Sequence, residues 1–249
     1  MKALILCGGF ATRLEPITYF IPKPLLPIGA GGKPIIEYIL DDVIRSGISE
    51  ITISTNSKFE GSFRYWLGLR INSPGIRVSM VVEPSKNNAE KYGAIKGIEY
   101  AIEKEKIDDD LTVIAGDNLY DFSVKDMLLF YEKRRKPTIA LYDIKSADEA
   151  KRFGVVRLSG ERISAFAEKP ANPESTLIST GIYIFPKESL KYFGIYLKNS
   201  ANTDSIGNFI EWLIKNSEVL GYVYKGRWFD IGTLETYRRA FDTFLQWKE

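Results

Sequence analysis

The chain has 249 residues, 45% of them hydrophobic and 13% aromatic, enough apolar material for one large domain with a sizeable buried core. Its 34 basic and 32 acidic side chains leave a net charge of +2, which excludes the basic excess of a non-specific nucleic-acid binder. With no histidine and one cysteine, Ser-His and Cys-His catalysis, imidazole-ligated metals and an internal disulfide are excluded, so any chemistry falls to carboxylates, lysine, arginine and hard cations.

Taken in order, Ala3 to Leu6 predicts a short apolar strand that runs into Cys7-Gly8-Gly9. Pro34 fits the first position of a helix whose apolar residues, Ile35 to Ile44, recur at helical spacing, with Gly47 placed to end it. Glu50 to Thr55 predicts a strand, Phe59 to Leu67 a helix, Ile76 to Val82 a strand and Gly93 to Glu103 a helix. Leu111 to Ala115 is a strand ending in Gly116-Asp117-Asn118, followed by a helix capped by Ser123 and running to Arg134, then a strand from Thr138 to Tyr142. Strands alternating with helices predict an α/β fold, a Rossmann-like three-layer sandwich around a mostly parallel mixed sheet.

From Phe153 the rhythm changes. Gly154 to Leu158 and Arg162 to Ala167 flank a Ser159-Gly160 turn, a hairpin that opens a smaller second β layer. Leu177 to Phe185 is a long strand, Pro186 to Phe193 a short helix, Ser205 to Lys215 a helix, Val219 to Lys225 a strand and Thr233 to Trp247 a closing helix. No repeat or flexible linker divides the sequence, which predicts one domain with a first half to about residue 120 and a second half beyond it. The five apolar residues before the glycines are too few for a signal peptide, and no run reaches a membrane span, so a cytoplasmic protein is expected.

The stretch from Leu4 to Pro27 carries the chemistry. A glycine pair after a strand lets backbone N–H groups approach an anion more closely than any Cβ permits. Arg13 adds a rigid charged fork, and Lys23, between Pro22 and Pro24, adds a point charge on a stiffened loop. Singly, each reads first as structural, a turn, a surface charge or a rigid loop; together they predict a phosphate site. The stretch lacks G-x-G-x-x-G spacing, and Gly29 to Pro34 has no hydroxyl after its lysine, so neither a dinucleotide fingerprint nor a Walker A loop is present. Asp117, directly after a strand, is placed for either a ligand site or a turn cap, and Asp230, before Gly232-Thr233, is either functional or a helix-dipole partner. Glu168-Lys169-Pro170 reads equally as an exposed pair entering a turn.

GGFATRL followed by IPKPLLPI resembles the signature of the sugar-1-phosphate nucleotidylyltransferases, the nucleoside-diphosphate-sugar pyrophosphorylases, with Ala11 where that family usually has a third glycine. The resemblance covers nearly the whole chain. It implies nucleotide binding by Leu6, Gly8, Gly9, Ala11, Thr12, Arg13, Glu83 and Gly93, and sugar-phosphate binding by Gly154, Glu168, Lys169 and Thr180. It further implies catalytic roles for Arg13, Lys23, Asp117 and Asp230, with the two aspartates holding Mg2+. Around the base the match weakens, because Glu90, Lys91 and Tyr92 replace the small residues of relatives.

The implied reaction joins a nucleoside triphosphate to a sugar 1-phosphate and releases pyrophosphate. No C-terminal β-helix of the kind found on longer relatives is expected. Within the family the short single-domain form resembles glucose-1-phosphate thymidylyltransferases most, so glucose 1-phosphate with dTTP or UTP is the first expectation and mannose 1-phosphate with GTP the second. An ionised Glu83 accepts N3–H of thymine or uracil, or N1–H and the amino group of guanine, but finds only one donor on adenine, so ATP is expected to be the poorest substrate. Tyr92 is expected to narrow the base pocket against guanine, the alternative being that it turns into the core and reads nothing. A non-catalytic regulatory relative is the alternative of a different class; two retained carboxylates argue against it. No nucleic-acid or membrane partner is expected, and homo-oligomerisation is left open.

Overall fold

The computed structural model describes residues 1–70, 74–200 and 204–245, with Leu245 described by its backbone alone. In chain order the elements are β1 (Lys2–Leu6), β2 (Pro27–Ile28), β3 (Lys33–Pro34), α1 (Ile35–Arg45), β4 (Glu50–Asn56), α2 (Glu60–Leu69), β5 (Arg77–Glu83), α3 (Ala94–Lys104), β6 (Leu111–Ala115) and β7 (Asn118–Tyr120). They continue with α4 (Val124–Glu132), β8 (Thr138–Asp143), α5 (Ala147–Ala150), β9 (Gly154–Ser159), β10 (Arg162–Glu168), β11 (Leu177–Phe185), α6 (Lys191–Asn199), α7 (Ile206–Asn216), β12 (Leu220–Val223), β13 (Trp228–Asp230) and α8 (Leu234–Leu245).

Nine strands form one mixed sheet in the order β5-β4-β1-β6-β11-β8-β12-β10-β9. The first four are parallel, and β11 runs antiparallel to both β6 and β8. Alternation along β1 builds both cores: Ala3 and Ile5 pack with Ile36 and Leu40 of α1 and Met127 of α4, while Leu4 packs with Ile95 and Ile98 of α3 and Phe209 of α7. A strand buried on both faces is why this segment reads as an unbroken apolar run. Helices on the two faces complete the three-layer sandwich expected from the alternating pattern.

The hairpin expected as a second layer is instead hydrogen-bonded into the main sheet: β10 pairs with β12, and β9 also reaches β11. Register shifts in β10, between Ile163 and Ala165, and in β11, between Ser179 and Tyr183, bend these strands so that the sheet curls at this end. Two small ribbons stand apart from the main sheet, β2–β3 and β7–β13, and the three-residue strands of the second are too short for a periodic signal.

Several boundaries move. Pro34 is extended and precedes α1 rather than opening it, and Gly47, at φ +96°, ends the helix as expected. Pro186 to Phe193 splits into a 3-10 turn, Lys187–Ser189, and the start of α6. The strand expected from Val219 to Lys225 contracts to β12, and the closing helix expected to reach Trp247 is described only to Leu245. Among the described residues no helix is long and apolar enough to cross a membrane.

Candidate active site

β1 lies between β4 and β6, where the strand order reverses and a crevice opens at the carboxyl ends. Gly8-Gly9 leaves β1 there, Glu83 ends β5 and Asp117 follows β6. Asn56 at the end of β4 donates from Nδ2 to the Gly8 carbonyl at 3.0 Å, fixing the glycine turn. The Gly116 N–H donates to the Leu6 carbonyl at 2.9 Å, and a Cβ at Gly116 would stand 2.6 Å from Cys7 Sγ, so only glycine brings β6 this close to β1. Burial pushes the Cys7 thiol well up, which keeps it a packing group rather than a nucleophile.

The ribbon β7–β13 assembles the acidic pair. Its register sets Asp230 opposite Asn118, and the Ile231 N–H donates to the Asp117 carbonyl at 3.2 Å, so two aspartates from distant parts of the chain come to lie side by side. Lys23 Nζ donates to Asp117 Oδ2 at 2.5 Å, with its side chain 12% exposed. Burial raises the Asp230 carboxyl first and the charge of Asp117 raises it second, opposed by Lys23, Arg13 and Arg152. Two mutually repelling hard-oxygen donors suit a dication. Among the described residues no group of three or more His, Cys, Asp or Glu gathers to hold a metal, so a cation here would complete its shell with water and phosphate oxygens, the habit of magnesium.

Two cavities, each of about 490 Å³, meet at this pair. One is lined by all the residues expected to bind nucleotide, Leu6, Gly8, Gly9, Ala11, Thr12, Arg13, Glu83 and Gly93, and by Lys23. The other is lined by all those expected to bind the sugar phosphate, Gly154, Glu168, Lys169 and Thr180, and by Asp230. Arg13 and Asp117 line both.

The family profile described as Nucleotidyl transferase matches residues 2–246. The chain belongs to the nucleotidyl transferase family. It is 32% identical to a glucose-1-phosphate adenylyltransferase of Mycoplasma mobile, over 96% of this chain and 66% of that one. It is 29% identical to a provisionally named mannose-1-phosphate guanyltransferase of Sulfolobus acidocaldarius, over 96% of this chain and 62% of the relative. Among solved structures, a provisionally named glucose-1-phosphate thymidylyltransferase of Bacillus anthracis superposes with a TM-score of 0.84 at 26% identity, covering 100% of this chain and 97% of that one. The chain thus spans about two thirds or less of the length of the curated relatives it matches.

In this nucleotidyl transferase the signature's missing glycine has a conformational meaning, because Ala11 sits at φ +50°, ψ 39°, the left-handed region glycine occupies without strain. Glu83 is 5% exposed, accepts from Ser54 Oγ at 3.3 Å, and presses so closely on the glycines that a Cβ at Gly97 would lie 2.7 Å from its Oε1. Burial is the main cause raising its carboxyl, against the Ser54 hydroxyl and the Tyr92 amide.

Tyr92 departs from expectation. Its ring is not on the wall of the nucleotide cavity but stands edge-on to Tyr100 of α3, 5.4 Å between centroids, with Lys96 Nζ 4.0 Å over it. An aromatic partner nearly two turns into α3 outcompetes the polar cavity for the ring.

The sequence also left several wall residues unnoticed. Lys91 Nζ pairs with Asp204 Oδ2 at 2.7 Å, and the Ala94 N–H donates to the Asp204 carbonyl at 3.1 Å, joining the loop before α3 to the loop before α7 across the nucleotide cavity. Lys91 was legible only as a replacement for a small residue; Asp204 carried no signal. In the sugar cavity the missed residues are Arg152 and Gly207, where a Cβ would fall 1.9 Å from Glu168 Oε2.

Proposed function

We propose that this nucleotidyl transferase moves a nucleotidyl group from a nucleoside triphosphate to a sugar 1-phosphate and releases pyrophosphate. The observation that carries the reading is the meeting of two cavities at Arg13 and Asp117, with Lys23 on Asp117 and Asp230 beside it. A sugar phosphate has a second pKa near ~6 and is largely dianionic at neutral pH, so its oxygen needs no protein base to attack the α-phosphorus. The absence of histidine is then no obstacle, and the task is positioning and charge neutralisation.

Arg13 and the Gly8-Gly9 amides hold the β- and γ-phosphates, Lys23 neutralises the reacting phosphoryl group, and Lys169 with Glu168 orients the sugar phosphate. Asp117 and Asp230 would hold Mg2+, which would supply positive charge to offset that of the reacting phosphates. Until then Lys23 serves as the counter-ion of Asp117.

Glucose 1-phosphate is the proposed acceptor. For the donor, dTTP or UTP stands first, because an ionised Glu83 accepts N3–H of a pyrimidine; Tyr92, off the cavity wall, lends this ranking nothing. ATP is the second reading, favoured by the burial that raises Glu83. A protonated carboxyl presents one donor and one acceptor, the complement of adenine N1 and its amino group. In a matrix of four triphosphates read by mass spectrometry of the nucleotide sugar, dTTP or UTP should lead at pH 8. ATP should gain on them as pH is lowered and the raised Glu83 carboxyl takes up its proton. A preference for GTP across that range contradicts both readings.

Gly207 gives a test of the sugar side. In Gly207→Ala the new methyl would displace the Glu168 carboxylate, so KM for the sugar 1-phosphate should rise about tenfold while KM for the triphosphate stays within about twofold. An unchanged sugar-phosphate KM would remove Glu168 from the site.

A further inference from the structure

A third cavity, of about 600 Å³, opens on the α8 side of Asp230. Arg13 lines it, as it lines the nucleotide and sugar cavities, so all three spaces share one guanidinium. Two more arginines enter from different elements: Arg152, just before β9, and Arg239 on α8. Among the described residues none of the three forms an ion pair, whereas Arg64, Arg70, Arg134, Arg135, Arg157 and Arg227 each do. Glu149, Asp230 and Glu235 share the wall, none within ion-pair distance of these arginines, although Asp230 is near enough for the charges of Arg13 and Arg152 to lower its carboxyl. Three guanidiniums without an ion-pair partner, brought to one cavity from three elements, form a receptor for a small polyanion with several terminal oxygens.

We propose that this third cavity receives pyrophosphate as it leaves, with Arg152 and Arg239 as further phosphate-binding residues. The inference rests on the proposed nucleotidyl transfer, whose three ligands match three cavities joined at Arg13. A pyrophosphate held by Arg13 borders the third cavity from the moment the bond to the α-phosphorus breaks. Arg152, which lines both the sugar cavity and this one, stands at the opening, and Arg239 lies further along α8.

Calorimetric titration with sodium pyrophosphate in the presence of magnesium reads the site without turnover. Compared with wild type, Arg239→Gln and Arg152→Gln should each weaken pyrophosphate binding about tenfold or more, as expected for loss of a charge-assisted hydrogen bond. Arg239→Lys should fall between, because it keeps the charge and loses the fork. In the reverse reaction, KM for pyrophosphate should rise by a similar factor with KM for the nucleotide sugar moved less than about twofold, a split that general destabilisation would not produce. Undiminished pyrophosphate affinity in both glutamine variants overturns the inference. Equal loss of triphosphate and pyrophosphate affinity also overturns it, by assigning these arginines to the triphosphate site. A wild-type protein that binds pyrophosphate through Arg152 and Arg239 yet makes no nucleotide sugar would instead refute the proposed reaction and leave the anion site standing.

Discussion

Asp230→Asn is expected to abolish turnover, with a fall in kcat of about 10³-fold or more, because one of two carboxylates proposed to share Mg2+ loses its charge at the reacting phosphate. The same change should not harm the fold. The folded-state carboxyl of Asp230 is raised, chiefly by burial and then by Asp117, so the folded protein binds its proton more readily than the unfolded chain does. Its contribution to stability is complete below the unfolded value and is lost as pH rises through the folded value. At neutral pH the metal-free wild type therefore carries an unfavourable buried charge, and metal-free Asp230→Asn should melt at or above the wild-type temperature. Magnesium should raise the wild-type Tm at neutral pH and leave the variant unmoved. Thermal melts with and without magnesium at pH 5 and 8 check this; an active Asp230→Asn enzyme, or equal magnesium stabilisation of both proteins, would remove the metal from these residues.

Lys23→Ala should be nearly as damaging to turnover and opposite in its effect on stability. Lys23 is the direct counter-ion of Asp117, with side chains 12% and 31% exposed. Breaking a pair at this depth falls between the roughly 0–1 kcal/mol of surface pairs and the roughly 3–5 kcal/mol of buried ones, so a metal-free loss of about 2 kcal/mol is expected. Because it also removes a cation from the reacting phosphate, kcat should fall about 10²- to 10³-fold. Lys23→Ala with near-wild-type kcat would make Lys23 a structural counter-ion only.

The parts of the fold legible in the sequence were those with a strong local pattern. β1, α1, β4, β6 and β11 combine long apolar runs with clear glycine, proline or serine punctuation. The ribbon β7–β13 was invisible because each strand has three residues and their partners lie far apart along the chain, Asn118 opposite Asp230. Yet it decides the site, since its register joins Asp230 to Asp117. The curl of β9–β10 into the main sheet depends on two register shifts that leave no compositional trace. In the site, residues carried by the glycine turn and the strand ends were found from their motifs, while Asp204, Arg152 and Gly207 are brought in by tertiary contact alone. Tyr92 was misread because sequence names a residue's neighbours along the chain but not the Tyr100 ring of α3, eight residues on, that its own ring packs against.

The most direct test of nucleotidyl transfer is phosphorus NMR of the protein with magnesium, dTTP, UTP or ATP, and glucose 1-phosphate. The expected result is a diphosphate-linked nucleotide sugar and pyrophosphate appearing in equal amounts, with no reaction when glucose 6-phosphate replaces the 1-phosphate. Orthophosphate release, or consumption of triphosphate without a sugar 1-phosphate, would contradict it.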